Sequence, residues 1–283
     1  MKIEGTTKVI GIFGYPVKHS ASPAMHNAAF KALELDYVYL PFEVKPERIE
    51  TAAKALIALN IAGVNVTIPH KETILPHLNE ISREAQLIGA VNTIVVRDNK
   101  LIGHNTDGQG FVASLKENGE KKIKEKTLLI LGAGGAARAV ATQAALEEAG
   151  RILITDKLKE KAEQVVRDLN KNIPSCEVRT IPQEEIKSTL KDADFLINAT
   201  PIGMNPGDPL IINPDWLPTS LLVFDLVYNL GETKLMKAAR EKGCRVIGGL
   251  GMLVQQGAIS FQLWTGKEAP LKVMRKVLEE KFR

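Results

Sequence analysis

A two-domain α/β architecture is predicted by three observations. Apolar runs alternate with helix-period segments along almost the whole chain, 283 residues suit two medium domains, and a glycine-rich turn sits directly between a strand and a helix. The first strand is KVIGIFG (8–14), and Ser22 ahead of Pro23 marks a helix start, since serine accepts a backbone N–H and proline loses nothing in the first turn. That helix spans 22–36, and strand YVYLPFEV (37–44), helix 48–60 and strand GVNVTIP (63–69) follow. Two more strands, VNTIVVRD (91–98) and LIGHNTD (101–107), lead into a helix at 110–118. A second series begins at strand TLLIL (127–131): helix 136–150, strand 151–156, helix 159–169, strand 177–181, helix 184–193, strands 195–201 and 221–228. This is the pattern of a doubly wound, largely parallel sheet. The expected domains are 1–112 and 113–249, with helices at 252–266 and 270–282 (within 250–283) returning to the first, and an active-site cleft between the two.

Composition excludes several classes. With 37 Lys and Arg against 33 Asp and Glu, the net charge of +4 suits anionic small molecules, and the densest basic stretch, KKIKEK from Lys121 to Lys126, has no aromatics to stack on bases, so nucleic acid is not expected. No apolar run approaches the roughly 20 residues of a membrane span, and MKIEGTTKVIGIFG lacks a basic and apolar leader, so the expected address is cytoplasmic. Cys176 and Cys244 are read as ordinary thiols. His19, His26, His70, His77 and His104 form no compact ligand set, and no metal is expected.

Chemistry-bearing residues gather in short strings. SASP places Ser20 and Ser22 in a strand-to-helix loop, and NVTIPHK places Asn65, Thr67 and Lys71 at and beyond a strand end, where open α/β sheets collect ligand groups. In the glycine-rich turn, Gly132 permits the tight bend, Gly134 lets a pyrophosphate approach the backbone, and small Ala137 lets helix pack on strand, with the phosphate on the helix N-terminus. The next strand ends at Asp156, the distance at which an acidic residue binds the adenosine ribose and selects NAD. A carboxylate repels a 2′-phosphate, whereas Lys157, Lys159 and Lys161 attract one; the alternative is that Asp156 caps the helix after it.

The strings GYPVKHSASPAMHN, GVNVTIPHK, GAVNT, GHNTDG, GAGGAARA, NATPIGM and GMLVQQGAISFQLWTG, in this order from end to end, resemble the shikimate dehydrogenase family. The resemblance implies an N-terminal substrate domain, a C-terminal Rossmann domain and reversible NADP-linked reduction of 3-dehydroshikimate to shikimate in chorismate and aromatic amino-acid biosynthesis. It matches Ser20 and Ser22 to the pair that binds the substrate carboxylate, and Lys71 and Asp107 to the catalytic pair. Thr67, Asn92, Asp107 and Gln256 match positions that bind ring hydroxyls, with Asn65 in support and Tyr228 on the substrate side. Gly132, Ala133, Gly134, Gly135 and Ala136 are implied at the pyrophosphate, Asp156, Lys157 and Lys161 at the adenosine, and Thr200, Met204, Leu226 and Gly249 around the nicotinamide.

Lysine serves either as proton acceptor or as a fixed charge beside developing oxyanion, and the residues alone leave both open. Two positions depart from the family. Its NADP-specific members carry Asn-Arg-Thr or Asn-Arg-Ser where this chain has Asp156, Lys157 and Leu158, which brings NAD into play, and Leu230 stands where proline is common. The rival readings are an NAD-using quinate/shikimate dehydrogenase and, from another class, a sensor that binds dinucleotide and polyol acid without turnover. The expected partner is a small molecule, with the chain a monomer or homodimer.

Overall fold

The computed structural model describes residues 3–120, 122–228 and 232–282, so Lys121 and Leu230 of the sequence reading lie outside the described residues. The chain divides into two compact units, one comprising residues 1–110 with 254–281 and 283, the other residues 111–253 with 282.

The first unit is built on a six-stranded sheet of order β2-β1-β3-β5-β6-β4. Its elements run β1 (Lys8–Gly14), α1 (Ser22–Ala32), β2 (Tyr37–Glu43), α2 (Ile49–Ala58), β3 (Gly63–Val66), α3 (His70–Thr73), β4 (Glu80–Ile81), α4 (Arg83–Ile88), β5 (Thr93–Arg97) and β6 (Lys100–His104), followed by α5 (Asp107–Glu117). β1 pairs parallel with β2 and β3, and β4 with β6, while β3 with β5 and β5 with β6 are antiparallel, so this sheet is parallel-rich but mixed. The reason is local: only Asp98 and Asn99, both at positive φ, separate β5 from β6, and so short a connection makes a hairpin. An apolar cluster of Phe13, Ala53, Leu56, Val64, Val66 and Ile94 fixes β1, β3 and β5 against α2.

Several boundaries shift. α1 ends at Ala32 rather than 36, and Glu34 then takes positive φ as the chain turns. Ser22 is the first helical residue, not the cap: Ala21 holds that place and no side chain caps the helix. α5 begins at Asp107, three residues ahead of expectation, which puts that carboxylate in the helix's first turn.

The second unit contains β7 (Thr127–Leu131), α6 (Gly135–Leu146), β8 (Arg151–Thr155), α7 (Lys159–Asn172), β9 (Glu177–Thr180), α8 (Ile186–Thr189), β10 (Phe195–Asn198), β11 (Leu222–Asp225), α9 (Lys234–Glu241) and β12 (Arg245–Gly248); α10 (Leu250–Thr265) and α11 (Leu271–Lys281) complete the chain. Its sheet order, β12-β11-β10-β7-β8-β9, is all parallel and reverses between β10 and β7, the doubly wound arrangement whose switch point gathers ligands. Alternation explains the apolar strands: Leu128, Ile130, Ile152 and Ile154 enter one core and Leu129, Leu131 and Leu153 the other, so both faces are covered. α6 lies close to the sheet because Ala137, Ala141 and Ala144 present only methyl groups to it. No helix among the described residues is long and apolar enough to cross a membrane.

Candidate active site

In the first unit the predicted residues converge on one buried hydrogen-bonded network. Lys71 lies in the single turn α3 after β3, rather than in open loop, and its Nζ donates to Asp107 Oδ2 at 2.5 Å, with both side chains largely shielded. Asn92, just before β5, donates through Nδ2 to Asp107 Oδ1 at 2.8 Å, and the Asp107 amide donates to Asn105 Oδ1 at 3.0 Å. One carboxylate thus accepts the Lys71 nitrogen on one oxygen and an amide on the other, which fixes the position of both groups.

Asn92 also reaches Thr106 Oγ1 at 2.9 Å and Gln256 Oε1 at 3.4 Å, while its own Oδ1 accepts the Thr106 amide. Asn65, on β3, donates to the Asn92 carbonyl, Thr93 Oγ1 and Ser260 Oγ at 3.1, 3.1 and 3.3 Å. Its Oδ1 accepts the Tyr39 phenol at 2.7 Å, and the Ser22 hydroxyl lies beside the same phenol. Burial drives the Tyr39 pKa well above its usual value, so the phenol stays protonated. Ser20 approaches this end through its Oγ, which accepts the Ser22 amide at 3.3 Å. Thr67 is half-buried beyond β3, with its amide bonded to Phe13 O. A hydrogen-bonded chain therefore runs from Tyr39, with Ser22 beside it, through Asn65, Thr93 and Asn92 to Asp107 and Lys71.

Tyr39, Thr93, Thr106 and Ser260 were not singled out by sequence. A tyrosine at a buried strand position must find a partner for its hydroxyl, and Ser260 lies four residues after Gln256, on the same face of α10. Those two signals were available.

In the second unit the glycine-rich turn has the features its pattern predicts. Gly132 adopts φ +102°, Ala137 is fully buried, and a side chain at Gly134 would meet nothing within 4 Å. No side chain caps α6, so the amides of Gly135 and Ala136 face outward at its positive end, open to an anion. Ala133 is different: its amide donates to Asp156 Oδ2 at 2.8 Å, while Asp156 Oδ1 accepts the Leu158 amide at 2.8 Å. Asp156 is therefore not the α7 cap, which is Leu158. It ties the glycine-rich turn to the end of β8 and leaves exposed Lys157 and Lys161 beside it. These residues suit a dinucleotide: an open backbone cradle, an uncapped helix terminus, and both an acidic and basic groups at the adenosine end.

Thr200 is half-buried after β10 and donates its hydroxyl to Asn198 Oδ1 at 2.7 Å; Met204 is half-buried further along the same loop. Leu226 and Tyr228 follow β11, and the Tyr228 ring packs edge-on against Phe282 at 5.8 Å. At Gly249 the missing side chain makes room for protein, because a Cβ there would strike the Leu226 carbonyl. Among the described residues no three His, Cys, Asp or Glu side chains form a metal-ligand group.

Three family profiles match this chain: a shikimate dehydrogenase substrate binding domain over residues 12–94, a shikimate/quinate 5-dehydrogenase over 114–204, and a shikimate 5′-dehydrogenase C-terminal domain over 249–279. The chain is 46% identical over 284 residues to the shikimate dehydrogenase (NADP(+)) of Alkaliphilus metalliredigens, covering 99% of each. It is similar to the crystal structure of a shikimate dehydrogenase in complex with NADP+ (TM-score 0.93, 43% identity, 100% of this chain and 98% of that one). It is also similar to the shikimate 5-dehydrogenase of Listeria monocytogenes in complex with shikimate and NAD (TM-score 0.91, 39% identity, 98% of each).

Proposed function

Because the chain belongs to the shikimate dehydrogenase family of NADP-dependent oxidoreductases, we propose that it reversibly reduces 3-dehydroshikimate to shikimate, with Lys71 and Asp107 at the reacting oxygen. The observation that carries the reading is the Lys71–Asp107–Asn92 arrangement, joined through buried amides and hydroxyls to Tyr39, which lies beside Ser22. Bound NADP+ would supply the acceptor for the hydride of the alcohol carbon, and NADPH the donor in the reverse direction. The alcohol proton leaves at the same time, and the Lys71–Asp107 pair sits ready to exchange it. Asp107 holds the lysine nitrogen in place, and Asn92 and Thr106 hold Asp107 and its helix start.

In this reading Ser20 and Ser22 bind the substrate carboxylate, and Asn65, Thr67, Asn92 and Gln256 bind ring hydroxyls, with Tyr39 added as the group beside Ser22 that holds Asn65. Amides and hydroxyls suit a polyol because each donates and accepts. Gly134 to Ala136 receive the pyrophosphate on a turn shaped by Gly132 and Ala133, Lys157 and Lys161 the 2′-phosphate, and Thr200, Met204, Leu226 and Gly249 surround the nicotinamide, with Tyr228 on the substrate side. The proposed setting is the cytoplasm, with the enzyme acting on small molecules as a monomer or homodimer.

Lys71→Ala tests the assignment. Wild type is expected to reduce NADP with shikimate, and the variant to lose on the order of 10²–10⁴-fold in kcat while keeping its melting temperature and NADP affinity. Turnover near wild type in the variant would remove Lys71 from the chemistry.

A further inference from the structure

The loop that follows β10 lines a partly open pocket of about 260 Å³ together with Asp225, Thr233 and Lys234, and polar tethers hold it there. The outer tether is Asp208, which accepts the Gly203 and Asn205 amides at 2.8 and 3.0 Å while its own carbonyl accepts Lys234 Nζ at 2.7 Å.

The inner tether is fully buried. Asp225 Oδ1 accepts Asn198 Nδ2 at 2.9 Å and the Val227 amide at 3.1 Å, and Oδ2 accepts the Thr233 hydroxyl at 2.6 Å. All three partners donate, so the carboxylate is ionised, against the upward push of burial on its pKa. Asn198 then passes the constraint on: its Nδ2 donates to Ile202 O at 3.0 Å and its Oδ1 accepts both the hydroxyl and the amide of Thr200. One carboxylate therefore holds the stretch after β10, the stretch after β11 and the start of α9.

We propose that Asp225 is a positioning residue for hydride transfer, which acts through Asn198 and Val227 to fix the Thr200–Met204 loop and the Tyr228 segment as one frame for the nicotinamide. This rests on the assignment of Thr200 and Met204 to the nicotinamide in the reading above. Asp225 itself is buried and touches neither substrate nor cofactor; its effect is on where the two loops stand. A displacement of about 1 Å at reacting atoms costs as much as 10²-fold in rate, so the frame matters to catalysis well beyond its share of stability.

Thr233→Val tests it, since valine keeps the shape of threonine and removes the hydroxyl given to Asp225, while Thr233→Ser restores that hydroxyl. The valine variant is expected to lose roughly 10- to 100-fold in kcat. Its NADP dissociation constant, measured by calorimetric titration, rises, and so does the primary isotope effect on kcat with shikimate deuterated at the oxidised carbon. The serine variant stays within about twofold of wild type in all three, because it keeps the bond. If the valine variant is too unstable to purify, Asp225→Asn keeps the volume with one acceptor oxygen fewer, and the same three shifts are expected at smaller size.

A valine variant that melts lower but keeps wild-type kcat, isotope effect and NADP affinity would overturn the proposal and leave Asp225 with a purely structural part. A wild type that binds NADP yet oxidises no shikimate would overturn the reading of the reaction instead, and the NADP dissociation constants of the variants would still test the frame.

Discussion

Asp156 accepts the Ala133 amide on one oxygen and the Leu158 amide on the other, so its first task is to join the glycine-rich turn to the end of β8. Each oxygen keeps a lone pair, enough to accept a ribose hydroxyl, but the full charge opposes a 2′-phosphate by about 1–4 kcal/mol at close range in a partly solvated site. Asp156→Asn removes that charge and keeps one of the two amide bonds. It is expected to shift the ratio of NADP to NAD kcat/KM towards NADP by about tenfold; an unchanged ratio would show that Lys157 and Lys161 set the preference alone. At this scale sequence reading was uneven. Lys71, Asp107, Asn92, Asn65 and Gln256 were named in advance and do meet one another. Tyr39, Thr93, Thr106 and Ser260 are not so named: Tyr39 and Ser260 carry the two signals named above, whereas Thr93 and Thr106 follow or precede the stronger candidates Asn92 and Asp107 and nothing local marks them as partners. Asp156 was read as ribose acceptor or helix cap, and its bond to Ala133 crosses 23 residues that no local pattern spans.

α1 shows what an element does with a polar residue on its buried face. His26 is completely buried, neither ring nitrogen has a hydrogen-bond partner, and the ring stacks on Tyr39 at 4.6 Å and 10° with Phe261 and Trp264 beyond. Burial lowers its pKa to about 3, so the ring is neutral at physiological pH and acts as an apolar plate behind the phenol that bonds Asn65 beside Ser22. The folded value lies below the unfolded 6.5, so the folded state binds fewer protons between the two. The stability contributed by the neutral ring is complete above pH 6.5 and is lost as pH falls towards 3. His26→Phe removes this titration and is expected to lose roughly 2 kcal/mol less unfolding free energy than wild type between pH 7 and pH 5. Equal losses in denaturant titrations at the two pH values would contradict the neutral assignment. Long amphipathic elements such as α2 and α7 were legible because several turns repeat the pattern. α3, β4 and α4, at four, two and six residues, are too short for a period to show, while α9 and β12 went unread.

For the molecule as a whole, each unit carries its own sheet and its own apolar core. The doubly wound sheet was legible from strand–turn–helix repetition, because parallel strands covered on both faces must be continuously apolar. The mixed pairing of the first sheet was not, because the order of strands depends on which edges meet in space. In the proposed function these parts together oxidise shikimate with NADP. The most direct test of that function is initial-rate oxidation of shikimate and of quinate, each with NADP and with NAD, followed through the absorbance of the reduced nicotinamide. The highest kcat/KM is expected for shikimate with NADP, with measurable use of NAD because of Asp156; no turnover with any of the four pairs would contradict the account and leave a protein that binds these molecules without transforming them.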